Sequence, residues 1–179
     1  MAAKTTWVID PTHSEIAFKV KHLMISNVKG HFSEFSGQVL TEGSDFSTSE
    51  ISFQINPASI STGVADRDGH LKSADFFDVE NFKDITFTQG KLTNTGGNEY
   101  VLTGNLTIKE NSKPVSLEVE LGGLMTDPWG NEKAGFTLKG KTNRKDWGLT
   151  WNAALEAGGV LVGEVIHLSC DVELVKQNA

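Results

Sequence analysis

The 179-residue chain carries 23 acidic residues against 16 Lys and Arg, a formal charge of −7, with 38% apolar residues and 18 glycines. That balance argues against nucleic acid and anionic membrane surfaces as partners, because both rely on clustered Lys and Arg. No apolar run is long enough for a membrane helix, and the single cysteine, Cys170, excludes an internal disulfide. The length suits one domain over residues 1–179. The opening MAAKTTWVID has no apolar h-region, so the expectation is a cytoplasmic monomer or small oligomer such as a homodimer, with no integral membrane association.

Period-two alternation dominates the chain. In EIAFKVKH, Ile16, Phe18, Val20 and His22 share one face, opposite Lys19 and Lys21. A shorter candidate, KGHFSEFSGQVLT, starts at Lys29 and includes Phe35. SEISFQIN alternates Ile51, Phe53 and Ile55 with Ser52 and Gln54, and DITFTQ, with Phe87, follows from Asp84. YVLTGNLTIK aligns Tyr100, Leu102, Gly104, Leu106 and Ile108. PVSLEVEL does the same with Val115, Leu117, Val119 and Leu121, and FTLKGKT with Phe136 and Leu138. GEVIHLSCDVELV turns Ile166, Leu168, Cys170, Val172 and Leu174 inward and His167 outward. About eight strands result, most with one dry and one wet face, as in antiparallel sheets.

NTGGNE and KENSKP read as hairpin loops. Closure into a barrel removes the edge strands that such a chain otherwise exposes, and a two-sheet sandwich is the alternative. Gly104 and Gly140, inside strands, suit bends or close backbone approach. A barrel of roughly eight strands either fills its interior or holds one small ligand. The alternation leaves both open. The interior set Phe18, Val20, Phe35, Phe53, Ile55, Phe87, Leu106, Ile108, Leu117, Val119, Phe136 and Leu138, with one tyrosine in the whole chain, suits an apolar ligand or a filled core equally.

The stretch VADRDGHLKSADFFD, Val64 to Asp78, breaks the pattern. At 3.6 residues per turn, Val64, Leu71, Ala74 and Asp75 form one stripe flanked by Arg67 and Asp68, with Ser61 or Thr62 as the cap. A half-buried Arg67 needs a carboxylate, from Asp10, Asp75, Asp78 or Asp146. The histidines at 13, 22, 31, 70 and 167 have no zinc-ligand spacing, so no metal and no cofactor is expected. In DPTHS, adjacent His13 and Ser14 point to opposite faces of an extended chain, which is poor geometry for base and nucleophile. A turn in which Asp10 and Ser14 bond backbone groups is the better reading. Trp7, Trp129, Trp147 and Trp151 read as plugs for the barrel ends.

Long motifs carry a resemblance that runs nearly end to end. They are W-x-I-D-P-x-H-S-x-I-x-F-x-V-x-H from Trp7, V-K-G-x-F-S-x-F-S-G ending at Gly37, and R-D-x-H-L with D-F-F-D from Arg67 to Asp78. Then come I-T-F at Ile85, L-T-G-x-L-T-I with P-V at Pro114, N-R-x-D-W-G at Asn143 and V-G-E-V-I at Val162. The sequence resembles the YceI-like family of lipid- or polyisoprenoid-binding proteins. The resemblance implies an all-β fold: an extended, lipocalin-like antiparallel β-barrel of about eight strands, with one or two short helices and a long apolar pore. It implies non-covalent binding of an amphiphile with a polyisoprenoid or fatty-acid-like tail, for carriage, storage or stress protection, and no enzyme chemistry. On that reading Asp10, His13, Arg67 and Asp68 form a structural polar network. Lys83 stands where the family commonly has proline, and no export signal is visible although many relatives have one. Two rivals remain at this stage: an enzyme acting on an isoprenoid or acyl substrate through Asp10, His13 and Arg67, and a filled-core interaction module.

Overall fold

The computed structural model describes residues 4–153 and 161–177. Eight strands hydrogen-bond into a closed antiparallel ring. In ring order these are β1 (Lys4–Ile9), β4 (Phe35–Glu42), β5 (Asp45–Ile55), β7 (Ile85–Gly96), β8 (Glu99–Ile108), β9 (Asn111–Thr126), β10 (Glu132–Asn143) and β11 (Val162–Lys176), which returns to β1. Three further strands extend one wall: β2 (Glu15–His22) pairs with the first half of β11, β3 (Ser26–Phe32) with β2, and β6 (Ile60–Ser61) with β3. The only α-helix among the described residues, α1 (Ala65–Lys72), follows β6 and packs against it.

The extra strands are continuations. β1 and β2 form one line of chain broken by a 3-10 turn at Pro11–His13, and β5 and β6 are broken in the same way at Pro57–Ser59. Proline lacks the N–H that a ladder needs. In each case the preceding Asx side chain closes the turn, Asp10 accepting from the Thr12 N–H and Asn56 from the Ala58 N–H. Between them, β3 and β4 divide at Ser33–Glu34, where the Asn56 N–H donates to the Glu34 carbonyl at 2.9 Å. The one strand expected from Lys29 is therefore two, and β1 and β6 are additions to the sequence reading.

Above the kinks the barrel is solid. Trp7 is fully buried, its indole N–H donating to Thr41 Oγ1 at 3.0 Å. Phe46 packs between Trp7 and Phe136, with ring centroids 5.1 and 5.0 Å away. Val39, Val119, Leu121, Ala134 and Leu174 complete this half. A Cβ at Gly104 would overlap the Phe87 ring, and one at Gly140 would overlap the Leu117 side chain. Both glycines thus let a large inward side chain lie flat against the neighbouring strand.

Candidate functional site

Below the Trp7 core the barrel is hollow. A cavity of about 510 Å³ occupies this half, within the usual range for small-molecule pockets. Phe18, Val20, Phe53, Ile55, Phe87, Leu106, Ile108, Leu117 and Leu138 line it, nine of the twelve positions read from strand parity. Phe35, Val119 and Phe136 do not: they pack with the solid half. Leu102, Leu138 and Val172 belong to both and form the floor. One continuous tunnel is therefore replaced by a blind cavity, and a wholly filled core is ruled out. Along β11 the lining runs from Val162 to Val172, a depth of roughly 25 Å for strands tilted about 40°.

Apart from Cys170, the polar lining gathers toward the end of the cavity opposite the floor. Lys21 and His22 end β2, Asp66, Arg67 and His70 come from α1, Thr142 lies at the end of β10, and Arg144 opens the 3-10 turn that follows it (Arg144–Trp147). Lys21 and Asp66 are exposed, so this end meets solvent. An aromatic cluster narrows it: the His70 ring stands edge-on to Trp151 at 4.5 Å and to Phe76 at 5.1 Å. His70 Nε2 lies 2.9 Å from Asp75, which holds the ring in place. The N-cap of α1 is Val64, which makes no side-chain cap, so the cap expected from Ser61 or Thr62 is not formed. Val64, expected on the inner stripe, is largely exposed, and Leu71 alone of that stripe reaches the cavity.

Arg144 is the residue that pattern reading missed. It is 3% exposed, and its guanidinium donates to the carbonyls of Gly163 (2.8 Å), Leu149 (2.6 Å), Trp151 (2.9 Å) and Val162 (3.3 Å). Burial pushes its pKa down, and Glu164 partly offsets the shift. Trp147 beside it donates its indole N–H to the Leu106 carbonyl at 2.8 Å. Phe76, Phe77 and Leu149 also line the cavity. D-F-F-D and N-R-x-D-W-G were visible as motifs; an arginine set among tryptophans was the available signal. Of the four tryptophans, Trp7 and Trp147 are buried plugs and Trp151 is at the cavity, but Trp129 is 83% exposed on the β9–β10 turn and plugs nothing.

The expected four-residue network is two separate clusters. At the cavity mouth, Asp68 Oδ1 accepts from the N–H and hydroxyl of Thr62, while Arg67 donates Nε–H to Thr62 Oγ1 at 2.7 Å and Nη2–H to its carbonyl at 2.8 Å. Among the described residues no carboxylate, including Asp10, Asp75, Asp78 and Asp146, lies within 4.0 Å of the Arg67 guanidinium. Arg67 is pinned by a threonine and a carbonyl because the chain before α1 folds back over it. Arg67→Ala should therefore lower stability by about 1–2 kcal/mol, the worth of charge-assisted hydrogen bonds, and not by the larger cost of an orphaned buried carboxylate. Lys72→Ala should change it by under about 0.5 kcal/mol. Urea midpoints of the two variants check the ordering, and equal midpoints would contradict it.

The second cluster sits at the β1–β2 kink, away from the cavity lining. Asp10 Oδ2 is 2.8 Å from His13 Nδ1, and Asp10 Oδ1 accepts from the Thr12 hydroxyl at 2.7 Å. The His13 hydrogen bond, then those from Thr12, bring the Asp10 carboxyl down to about 2. Ser14 is turned elsewhere, its Oγ accepting the Glu173 N–H at 2.9 Å. Asp10, His13 and Glu173 bring their ligand atoms within 4.8 Å of one another, but the Lys133 ammonium is inserted there, 2.9 Å from Glu173 and 3.8 Å from Asp10. Since the folded-state pKa is depressed, the contribution of Asp10 is present above the ordinary value near 3.8 and lost as pH falls through about 2. Asp10→Asn should lose about 1 kcal/mol at neutral pH, after solvent screening, with the gap to wild type closing between pH about 4 and 2. Denaturant titrations across that range test it; a gap that ignores pH would contradict it.

Two remaining positions are settled by burial. Cys170 lines the cavity, and burial pushes its thiol up to about 11, so it stays protonated at neutral pH. His167 is exposed on the outer face of β11.

The YceI-like domain family matches residues 7–174. A UPF0312 protein of Staphylococcus aureus is 38% identical over 170 residues, covering 94% of this chain and 96% of that protein. Among solved structures, the YceI protein of Campylobacter jejuni superposes with a TM-score of 0.74 at 34% identity, covering 88% of this chain and 90% of its own. A domain from Saccharophagus degradans described as polyisoprenoid binding superposes with a TM-score of 0.71 at 13% identity, over 99% and 100% of the two chains, and shares the fold. With the family matched across almost the whole chain and the barrel shared, this protein belongs to the YceI-like family.

Proposed function

We propose that the protein binds, without covalent chemistry, one amphiphile whose long polyisoprenoid or acyl tail fills the cavity and whose head group stays at the polar end, serving carriage, storage or stress protection. The observation that carries this reading is the separation inside the cavity: apolar side chains along its depth, and the ionisable ones, Cys170 apart, at one mouth. Such a gradient matches a molecule with the same gradient. The polyisoprenoid binding of the Saccharophagus domain supports the same class of ligand. Lys21, Arg67 and Arg144 against Asp66 favour a head group that accepts hydrogen bonds. We read the protein as a binder and not an enzyme because Arg67 is at the cavity while Asp10 and His13 are outside its lining. Native mass spectrometry of freshly purified protein tests this. A bound lipid of discrete mass is expected; protein that carries none and takes up none from a prenyl or acyl mixture would sink the reading.

A further inference from the structure

The outer face of the barrel beside the cavity mouth runs against the net charge of the molecule. In the strand register Lys29 on β3 stands directly opposite Lys19 on β2, Lys19 opposite His167 on β11, and His167 opposite Lys141 on β10. Four basic side chains thus lie abreast on four adjacent strands, in a chain of formal charge −7. Like charges directly opposite, as Lys19 and Lys29 are, destabilise a sheet. Among the described residues none of these lysines has a carboxylate within 4.0 Å. Glu164 on the same wall is taken by Lys145 at 2.7 Å, and Glu15 and Asp171 face each other four residues further from the mouth.

Four residues beyond Lys19, roughly 13 Å along the strand, the β2–β3 hairpin ends in Leu23, Met24 and Ile25, which are 39, 59 and 82% exposed. Leu23 and Met24 both adopt positive φ, 53° and 62°. Such turns favour Asn and Gly, and bulky apolar residues there are costly. This tip is joined to the cavity: the Leu23 N–H donates to the Leu161 carbonyl at 2.8 Å, and Lys21, His22 and Leu161 line the mouth.

We propose that this face docks the protein onto an anionic lipid bilayer, the Leu23–Ile25 tip entering the interface and the lysine row meeting the head groups. An anionic bilayer supplies counter-charge to the lysine row and an apolar phase to the exposed Leu23–Ile25 side chains at once. The convex apolar tip beside lysines fits a lipid interface, whereas nucleic acid offers it no apolar phase. Docking does not depend on what fills the cavity, and its test reads the bilayer alone.

Co-sedimentation with vesicles of phosphatidylcholine, with and without phosphatidylglycerol, decides it. Binding is expected to the phosphatidylglycerol vesicles, weaker at high salt, and not to phosphatidylcholine alone. Replacing Lys19, Lys29 and Lys141 together by alanine should weaken partitioning on the order of a hundredfold, at about fivefold per lysine near an anionic surface. Ile25→Asp should lower it at least tenfold. Alanine at Lys83, Lys91 and Lys113, outside this patch, should leave it unchanged. All these side chains except the half-buried Lys19 are exposed, and thermal unfolding verifies that each variant is folded. The proposal is overturned if folded wild type ignores the anionic vesicles. It is overturned equally if the patch triple binds as the control triple does, or if the face captures only an acidic protein.

Discussion

Replacing Arg144 by alanine is expected to destabilise the protein by about 3–5 kcal/mol, the range seen when a buried charged hydrogen-bonding group is removed from its partners. Four carbonyls around the loop between β10 and β11 converge on one guanidinium. Truncation leaves them without a donor in a buried site and opens space beside Phe76, whose ring centroid is 6.0 Å from the guanidinium carbon. For a domain of this size the midpoint of thermal unfolding should fall by roughly 10 °C. Arg144→Lys should recover little, because an ammonium cannot address four acceptors with the geometry of a planar fork. Circular dichroism melts of the three proteins measure this directly. A loss under about 1 kcal/mol for the alanine variant would mean that the loop holds itself without the arginine.

The second large effect is on binding. Leu117 stands on β9 within the lining, its side chain lying over Gly140. Leu117→Trp adds an aromatic ring to a cavity of about 510 Å³ that is closed at the floor. A ligand tail that runs past this level is then excluded, while one that stops short of it is not. Each methylene denied burial removes about 0.8 kcal/mol, so a tail shortened by four methylenes loses about two orders of magnitude in affinity. Short prenyl alcohols should bind the variant and wild type within about threefold, and long ones should not bind the variant measurably. Equal loss for both lengths would place the ligand elsewhere.

What the sequence shows and hides follows from how far each feature reaches along the chain. Inward parity was legible on the six strands with clean alternation because an antiparallel strand with one dry face repeats every two residues. The kink at Pro11 was legible as a turn, and the Asn56–Pro57 kink carries the same Asx–Pro chemistry in a stretch that reads as the end of a strand. The hollow was not legible. Phe136 and Leu138 share a parity and differ by two residues, yet one packs on Phe46 and the other faces the cavity. That difference is set by where Trp7 and Phe46, far away in sequence, close the barrel. Arg67 misled because a half-buried arginine suggests a carboxylate, and Thr62, five residues earlier, satisfied it instead. Net charge is silent on placement: −7 overall coexists with Lys19 and Lys29 side by side on one wall, since a sum carries no positions.

Calorimetry on a graded series of prenyl alcohols tests the binding account most directly. Affinity should rise with tail length by up to about 0.8 kcal/mol per buried methylene, less the entropy of ordering the tail, and then level off once the cavity is full. The plateau is part of the expectation, because Leu102, Leu138 and Val172 close the floor. Affinity that follows the head group and ignores the tail would contradict the account, and would place binding outside the cavity.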